Sequence, residues 1–341
     1  MNKAFLLSTA VCLFISGFAL ADMFGSGANQ FEIEFVTISG DAGSANGTNI
    51  SQYSLGVSDW ETSAYQTFRD PGNPYRMGMY EITNSQWNKF TAAYGTVTGS
   101  PLSAYQEDSF YTGDNVPANY ISWYEAAQFV NWLNTSTGHQ AAYKFTGTQG
   151  TGSYTFSVWD VTEAVSETNI YRHKDAKYFL PTENEWVKAA YWNGANLQTW
   201  ATVGDVQPTQ SEWNFYYYHG TGYATDPYGL WEVGTGAEEL NGTFDMMANV
   251  SEWVEGSFYR EGTPYNDYYP DERCRRGGSF HATGSDIFGE YLRSFDRSGN
   301  DPDYTYNSIG FRVASTIPEP ATVLLLAIGG LALRWRMKAS D

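Results

Sequence analysis

Three tetrads of the form Ser/Thr-x-x-Glu/Gln constrain this chain more than any other feature: Thr83-Asn84-Ser85-Gln86, Ser122-Trp123-Tyr124-Glu125 and Thr182-Glu183-Asn184-Glu185. In each, the hydroxyl can accept from the backbone N–H three residues on, and the Glu or Gln side chain can accept from the cap's own N–H. Two donors orphaned by the start of a helix are then satisfied at once. The tetrads predict three helix starts. The first helix is expected to end at Gly95, and the second carries Ala126, Phe129, Val130 and Leu133 at the i, i+3, i+4, i+7 spacing of a buried stripe.

Little else is regular. Phe31–Ser39 reads as a strand, and Gly152–Val158 alternates like one. Beyond Trp192 the chain is turn-rich, with short aromatic runs and no helical period. A chain with so few elements needs another source of cohesion, and 12 Trp, 26 Tyr and 20 Phe supply it. Large rings can staple irregular loops together, and charged residues are too few for a disordered chain. The expected fold class is α+β and loop-rich.

The two ends read as addresses. Lys3, an apolar stretch around Leu6–Leu20 and Ala19-Leu20-Ala21 form the pattern of a secretory signal peptide; the bland alternative is a buried N-terminal helix. At the other end Pro318-Glu319-Pro320 precedes the apolar run Ala321–Leu333 and the cluster Arg334-Trp335-Arg336-Met337-Lys338. This three-part tail resembles the PEP-CTERM sorting signal. The resemblance implies a partner protease of the exosortase type and membrane insertion of the short apolar segment before processing, with the basic cluster on the cytoplasmic side. The expected boundaries are 1–21 for the signal peptide, 22–75 for an N-terminal extension and the start of the domain, 76–315 for the domain and 316–341 for the tail.

The formal net charge is −19. The ends hold four of the basic residues and two of the acidic ones, so the part between them is near −21. Such a field repels nucleic acid and favours cations; the bland alternative is that the acidity serves solubility alone. Of the two cysteines, Cys12 lies in the leader, so the exported chain keeps only Cys274 and can form no internal disulfide.

Six segments between the ends then carry a family resemblance. Glu81-Ile82-Thr83-Asn84-Ser85-Gln86-Trp87 opens the series. It continues with Pro117-Ala118-Asn119-Tyr120-Ile121-Ser122-Trp123, followed by Ala126 and Asn131-Trp132-Leu133. Leu180-Pro181-Thr182-Glu183-Asn184-Glu185-Trp186, with Ala189-Ala190, comes next, before Phe244-Asp245-Met246-Met247-Ala248-Asn249-Val250-Ser251-Glu252-Trp253. Arg276-Gly277-Gly278-Ser279 and Ile309-Gly310-Phe311-Arg312 close the series. In this order they resemble the formylglycine-generating, or sulfatase-modifying-factor, family. The resemblance implies a variant of the C-type-lectin-like fold. Read as residues, the Trp side chains look like core rings, and Gly277 and Gly278 allow a close approach or a positive φ. Asn249 and Glu252, polar in an apolar stretch, must be hydrogen-bonded or bind a metal.

The resemblance also implies structural Ca2+. One set of oxygen ligands falls on Asn214, Phe215, Asp226 and Tyr228, and a second on Asp245, Ala248, Val250 and Glu252, a carboxylate and carbonyl mix suited to a hard cation. The bland alternative gives Glu252 a purely hydrogen-bonding role. Catalysis is where the pattern breaks. The family's formylglycine generators carry two cysteines shortly after Arg-Gly-Gly-Ser, and these hold Cu(I), which selects soft thiolates. Here Ser279 is followed by Phe280-His281-Ala282-Thr283, and Cys274 lies before the motif. Copper is not expected, and Ser279 and His281 are only weak catalytic candidates. His139, His173, His219 and His281 form no His-x-x-x-His pair. Two functions stay open: a non-catalytic binding or structural module at the cell surface or in an extracellular matrix, or an oxidase with a divergent metal centre. A glycan or peptide ligand is conceivable for the first, with Tyr216-Tyr217-Tyr218 and Tyr265, Tyr268 and Tyr269 as candidate stacking rings.

Overall fold

The computed structural model describes residues 20–43, 51–52, 66–97, 111–216, 229–258, 272–281 and 292–317. All three expected helices form: α1 over Asn84–Tyr94, α2 over Trp123–Ser136 and α3 over Glu183–Tyr191. Each opens with the reciprocal capping box its tetrad predicts. Gly95 ends α1 with φ +88°, a conformation that costs a residue without Cβ little. The expected stripe on α2 is buried, and so is nearly all the rest of that helix. Asn134 explains part of this. Its side chain donates to the carbonyls of Val130 and Tyr178 and accepts from the amides of Lys177 and Tyr178, tying the helix to a strand.

A five-stranded antiparallel sheet runs in the order Leu20–Phe24, Phe31–Ile38, Tyr75–Gly78, Ala314–Thr316 and Tyr178–Phe179. The segment 22–75 thus supplies strands to the domain's main sheet. Cleavage after Ala21 would leave Asp22 as the first residue, with its carboxylate bonded to Arg76 and Tyr178. Along Phe31–Ile38 the strand's period of two divides the side chains between two cores. Phe31, Ile33 and Phe35 join Trp87, Phe90, Trp123, Phe129 and Phe311, on the side of α1 and α2. Val36 and Ile38 join Trp186, Tyr191, Met246 and Phe258, on the side of α3.

The second sheet lies beyond Trp192, in the region that reads from sequence as turns. Its order is Ser298–Asn300, Arg273–Arg276, Ser251–Ser257 and Ile309–Gly310, and the last pairing is parallel. Because Ser251 and Glu252 pair with Ile309 and Gly310, the Asn-Val-Ser-Glu-Trp and Ile-Gly-Phe-Arg segments are brought side by side. That pairing positions the candidate site.

Candidate functional site

The centre of the molecule is a buried polar network assembled from motifs far apart in sequence. The Nε of Arg312 donates to both carboxylate oxygens of Glu252, at 2.8 and 2.7 Å. Its Nη1 donates to the carbonyls of Gly78 and Met79, and its Nη2 to that of Phe244. Trp186 Nε1 donates to Glu252 Oε2 at 2.7 Å. Asn249 donates through Nδ2 to Glu81 and accepts through Oδ1 from Asn214 Nδ2 and the amide of Trp231. Glu81 also accepts from the amide of Val250. Both polar residues expected to need partners therefore have them within the protein.

The turn that carries these groups is strained. Asp245, Ala248 and Asn249 have φ of +58°, +78° and +52°. An L-residue in this region costs about 1–2 kcal/mol, least for Asn and Asp. The surrounding bonds hold the turn: Ala248 N donates to Gly277 O and Asn249 N to Asn214 O. Gly277 is required here. At φ +95° it passes so close to Met246 that a Cβ would lie 2.6 Å from that residue's carbonyl oxygen.

This core holds four buried carboxylates, those of Glu81, Glu239, Asp245 and Glu252, around Arg312. Burial pushes Glu239 up to about 8 and Asp245 up to about 6. Burial, with Asp245 and Glu252 nearby, drives Glu81 well above the carboxylate range. Of one expected calcium set, Asp245, Ala248 and Val250 lie on this turn, and Glu252 lies in the strand that follows it. Glu252 is committed to Arg312 and Trp186, while Asp245 accepts from the amide of Gly234. In the other set, Asn214 and Phe215 are buried, and Asn214 Nδ2 donates to Gly229 O. Asp226 and Tyr228 lie outside the described residues. Among those described, no three His, Cys, Asp or Glu side chains converge on one metal position.

A second network encloses the thiol. Glu183, at the start of α3, accepts from Arg276 and Arg297. Burial alone would raise its carboxyl, but the two guanidinium groups hold it down to about 2. Cys274 is fully buried, with Sγ 3.2 Å from Glu183 Oε1. Burial first, then the Glu183 charge, pushes the thiol up to about 12. A low-pKa, accessible metal ligand needs the opposite surroundings. The copper site that the resemblance implies has two thiolates, and the buried thiol of Cys274 alone does not fit it.

Ser279 is buried and His281 half-buried at the end of the Arg-Gly-Gly-Ser segment. The amide of Phe280, between them, donates to Asn249 O, linking this segment to the network. The His281 ring lies 5.9 Å from those of Phe280 and Tyr306. Of the candidate stacking rings only Tyr216 is described, and it is half-buried; Tyr217, Tyr218, Tyr265, Tyr268 and Tyr269 lie outside the described residues. Reading the sequence missed the roles of Glu81, Trp186 and Arg312, although each stands in a quoted motif. It also missed Tyr304 and Tyr306, whose only signal is their alternation.

Comparison with known proteins agrees with this arrangement. A family model described as a sulfatase-modifying factor enzyme 1-like domain matches residues 43–317, and one for the PEP-CTERM protein-sorting motif matches residues 316–338. Two curated relatives are named inactive C-alpha-formylglycine-generating enzyme 2. The Mus musculus protein is 31% identical over 143 residues, 41% of this chain and 44% of the relative. The Bos taurus protein is 29% identical over 143 residues, 41% of this chain and 45% of the relative. The alignment thus spans less than half the length of these relatives. Among solved structures, Treponema denticola variable protein 1 superposes with a TM-score of 0.57 at 18% identity, covering 88% of this chain and 100% of that one. CarF does so at 0.53 and 19%, covering 84% and 99%. PvdO from Pseudomonas aeruginosa gives 0.51 and 16%, covering 87% and 98%. At these identities the likeness shows the fold alone, and the expected α+β, C-type-lectin-like architecture is the one observed.

Proposed function

Because the chain belongs to the sulfatase-modifying factor enzyme 1-like family, we propose that it is a non-catalytic member, an exported binding module that keeps the family's fold without its thiolate chemistry. One observation carries this reading: Cys274 is walled in by Glu183 and the arginines that hold it. Burial and the Glu183 carboxylate push the thiol far above its ordinary range, so the thiolate that binds metal is disfavoured. The names of the curated relatives support the same reading, since both are called inactive.

The PEP-CTERM motif marks the chain for export and for processing at the cell envelope by an exosortase. Retention at the surface or in an extracellular matrix follows as part of the proposal. No described helix is long and apolar enough to cross a membrane, and the apolar run of the tail lies outside the described residues. A structural calcium ion is a separate proposal. It rests on the excess of buried carboxylate over guanidinium around Asp245, and Asp245 rather than Glu252 would be its charged ligand.

The test is an assay with Cu(I), oxygen, a reductant and a Cys-containing sulfatase peptide, following the mass of the peptide. The expected result is no aldehyde. Aldehyde formation abolished by Cys274→Ser would overturn the proposal and establish a single-thiol centre. Formation that survives the substitution would overturn it in favour of a centre built on His281.

A further inference from the structure

Next to the Arg-Gly-Gly-Ser segment the protein presents aromatic rings to solvent. Tyr304 and Tyr306 are 40% and 38% exposed, although most of the described aromatic rings are buried. Their ring centroids are 6.3 Å apart and their planes 16° from parallel. The ring of His281, 5.9 Å from that of Tyr306, extends the pair into a strip, with buried Phe280 behind it.

The loop that carries the strip is braced. Tyr304 N donates to Asp301 O, and Ile309 N to Tyr306 O. From outside the loop, Tyr120 N donates to Tyr306 O and Tyr124 N to Pro302 O. Asn307 Nδ2 donates to the hydroxyl of Tyr111 at 2.8 Å. A loop held this way loses little conformational entropy when a ligand settles on its rings. Asp301 and Asp303 precede them on the same loop and are exposed.

We propose that this strip binds a glycan of amino sugars, its pyranose faces stacked on Tyr304 and Tyr306 and its ammonium groups drawn to Asp301 and Asp303. The inference rests on the reading of the domain as a non-catalytic binding module. Near-parallel rings accept a flat apolar face, and their π-quadrupole attracts polarised C–H groups and cations. Exposed carboxylates on a chain of net charge −19 favour a cationic polymer and repel nucleic acid or an acidic polysaccharide.

The test titrates the full chain with a β-1,4-glucosamine hexamer, its fully N-acetylated counterpart and hexalysine, by calorimetry at two salt concentrations. The glucosamine hexamer binds at least tenfold more tightly than either control, and more weakly at high salt. Tyr304→Phe with Tyr306→Phe retains binding, whereas Tyr304→Leu with Tyr306→Leu, which keeps apolar bulk without a π-face, loses tenfold or more. Asp301→Asn with Asp303→Asn loses severalfold. Melting curves of each variant confirm folding. No binding of the glucosamine hexamer overturns the inference, as does binding that ignores the leucine pair. Hexalysine binding equally well through the same rings overturns it in favour of a basic polypeptide. The peptide-aldehyde assay on the same preparation separates the two failures: aldehyde sinks the non-catalytic reading, whereas no aldehyde and no glycan binding sinks only this inference.

Discussion

Arg312 neutralises a core that would otherwise hold carboxylates alone, and removing it should cost far more than removing its partner. Arg312→Met deletes both bonds from Nε to Glu252 and strands the carbonyls of Gly78, Met79 and Phe244. A buried charge left without its partner costs about 3–5 kcal/mol, and each stranded carbonyl about 1–3 kcal/mol. These overlap, so the expected loss is about 5 kcal/mol. Glu252→Gln keeps an acceptor oxygen for Trp186 Nε1 or Arg312 and leaves the bonds from Arg312 to the carbonyls of Gly78, Met79 and Phe244 in place. Its expected loss is about 2 kcal/mol. The difference at pH 7.5, about 3 kcal/mol, corresponds to a Tm gap on the order of 10 °C in a domain of this size. The gap also depends on pH. The carboxyls of Glu81, Glu239 and Asp245 are raised in the folded state, so their contribution is full below the unfolded value and is lost as pH rises through the folded values, about 6 for Asp245 and about 8 for Glu239. Without the guanidinium those values rise further, and the deficit of Arg312→Met should grow from pH 5 to pH 8. Urea unfolding of both variants at these two pH values, in chelator so that no calcium contributes, measures it. The reasoning fails if Glu252→Gln costs as much as Arg312→Met at pH 7.5, or if the gap is the same at both pH values.

Three further outcomes are expected. Glu125 is pushed up to about 8 by burial while its bonds to Ser122 pull it down, so its stability contribution falls as pH rises from about 4.5 to about 8. Glu125→Gln keeps an acceptor for the capping box and should raise the melting temperature at pH 9 while leaving it nearly unchanged at pH 4; equal effects at both would remove the carboxyl as the cause. Calcium should raise the melting temperature with concentration, because it binds the native state, and a curve indifferent to chelator refutes the calcium proposal. Deleting residues 318–341 should move the exported protein from the cell envelope to the medium, as immunoblots of the two fractions would show, and unchanged retention would assign the anchoring to another segment.

The helix starts were legible because each capping box is a contact between residues three apart, whose geometry no distant segment has to supply. The family motifs were legible for a related reason. A buried Trp, a glycine at positive φ or a polar residue in an apolar run marks its own local requirement, as Gly277 and Asn249 show. The absence of a cysteine pair after Ser279, and the sorting motif at the end of the chain, also needed no structure. Partners were a different matter. Glu252 could equally have met a metal or a hydrogen-bond donor, and the choice fell to Arg312, 60 residues away, through the parallel pairing of two short strands in a region that reads as turns. The seal over Cys274 likewise needed α3, which carries Glu183, to meet a strand 91 residues on. Whether a tyrosine is core or surface is equally nonlocal: Tyr178 and Tyr304 are chemically alike, and only the packing around each buried the one and left the other in water. Local chemistry therefore fixed the elements and their caps, while the identity of each buried charge's partner and the exposed aromatic strip emerged only when segments distant in the chain were brought together.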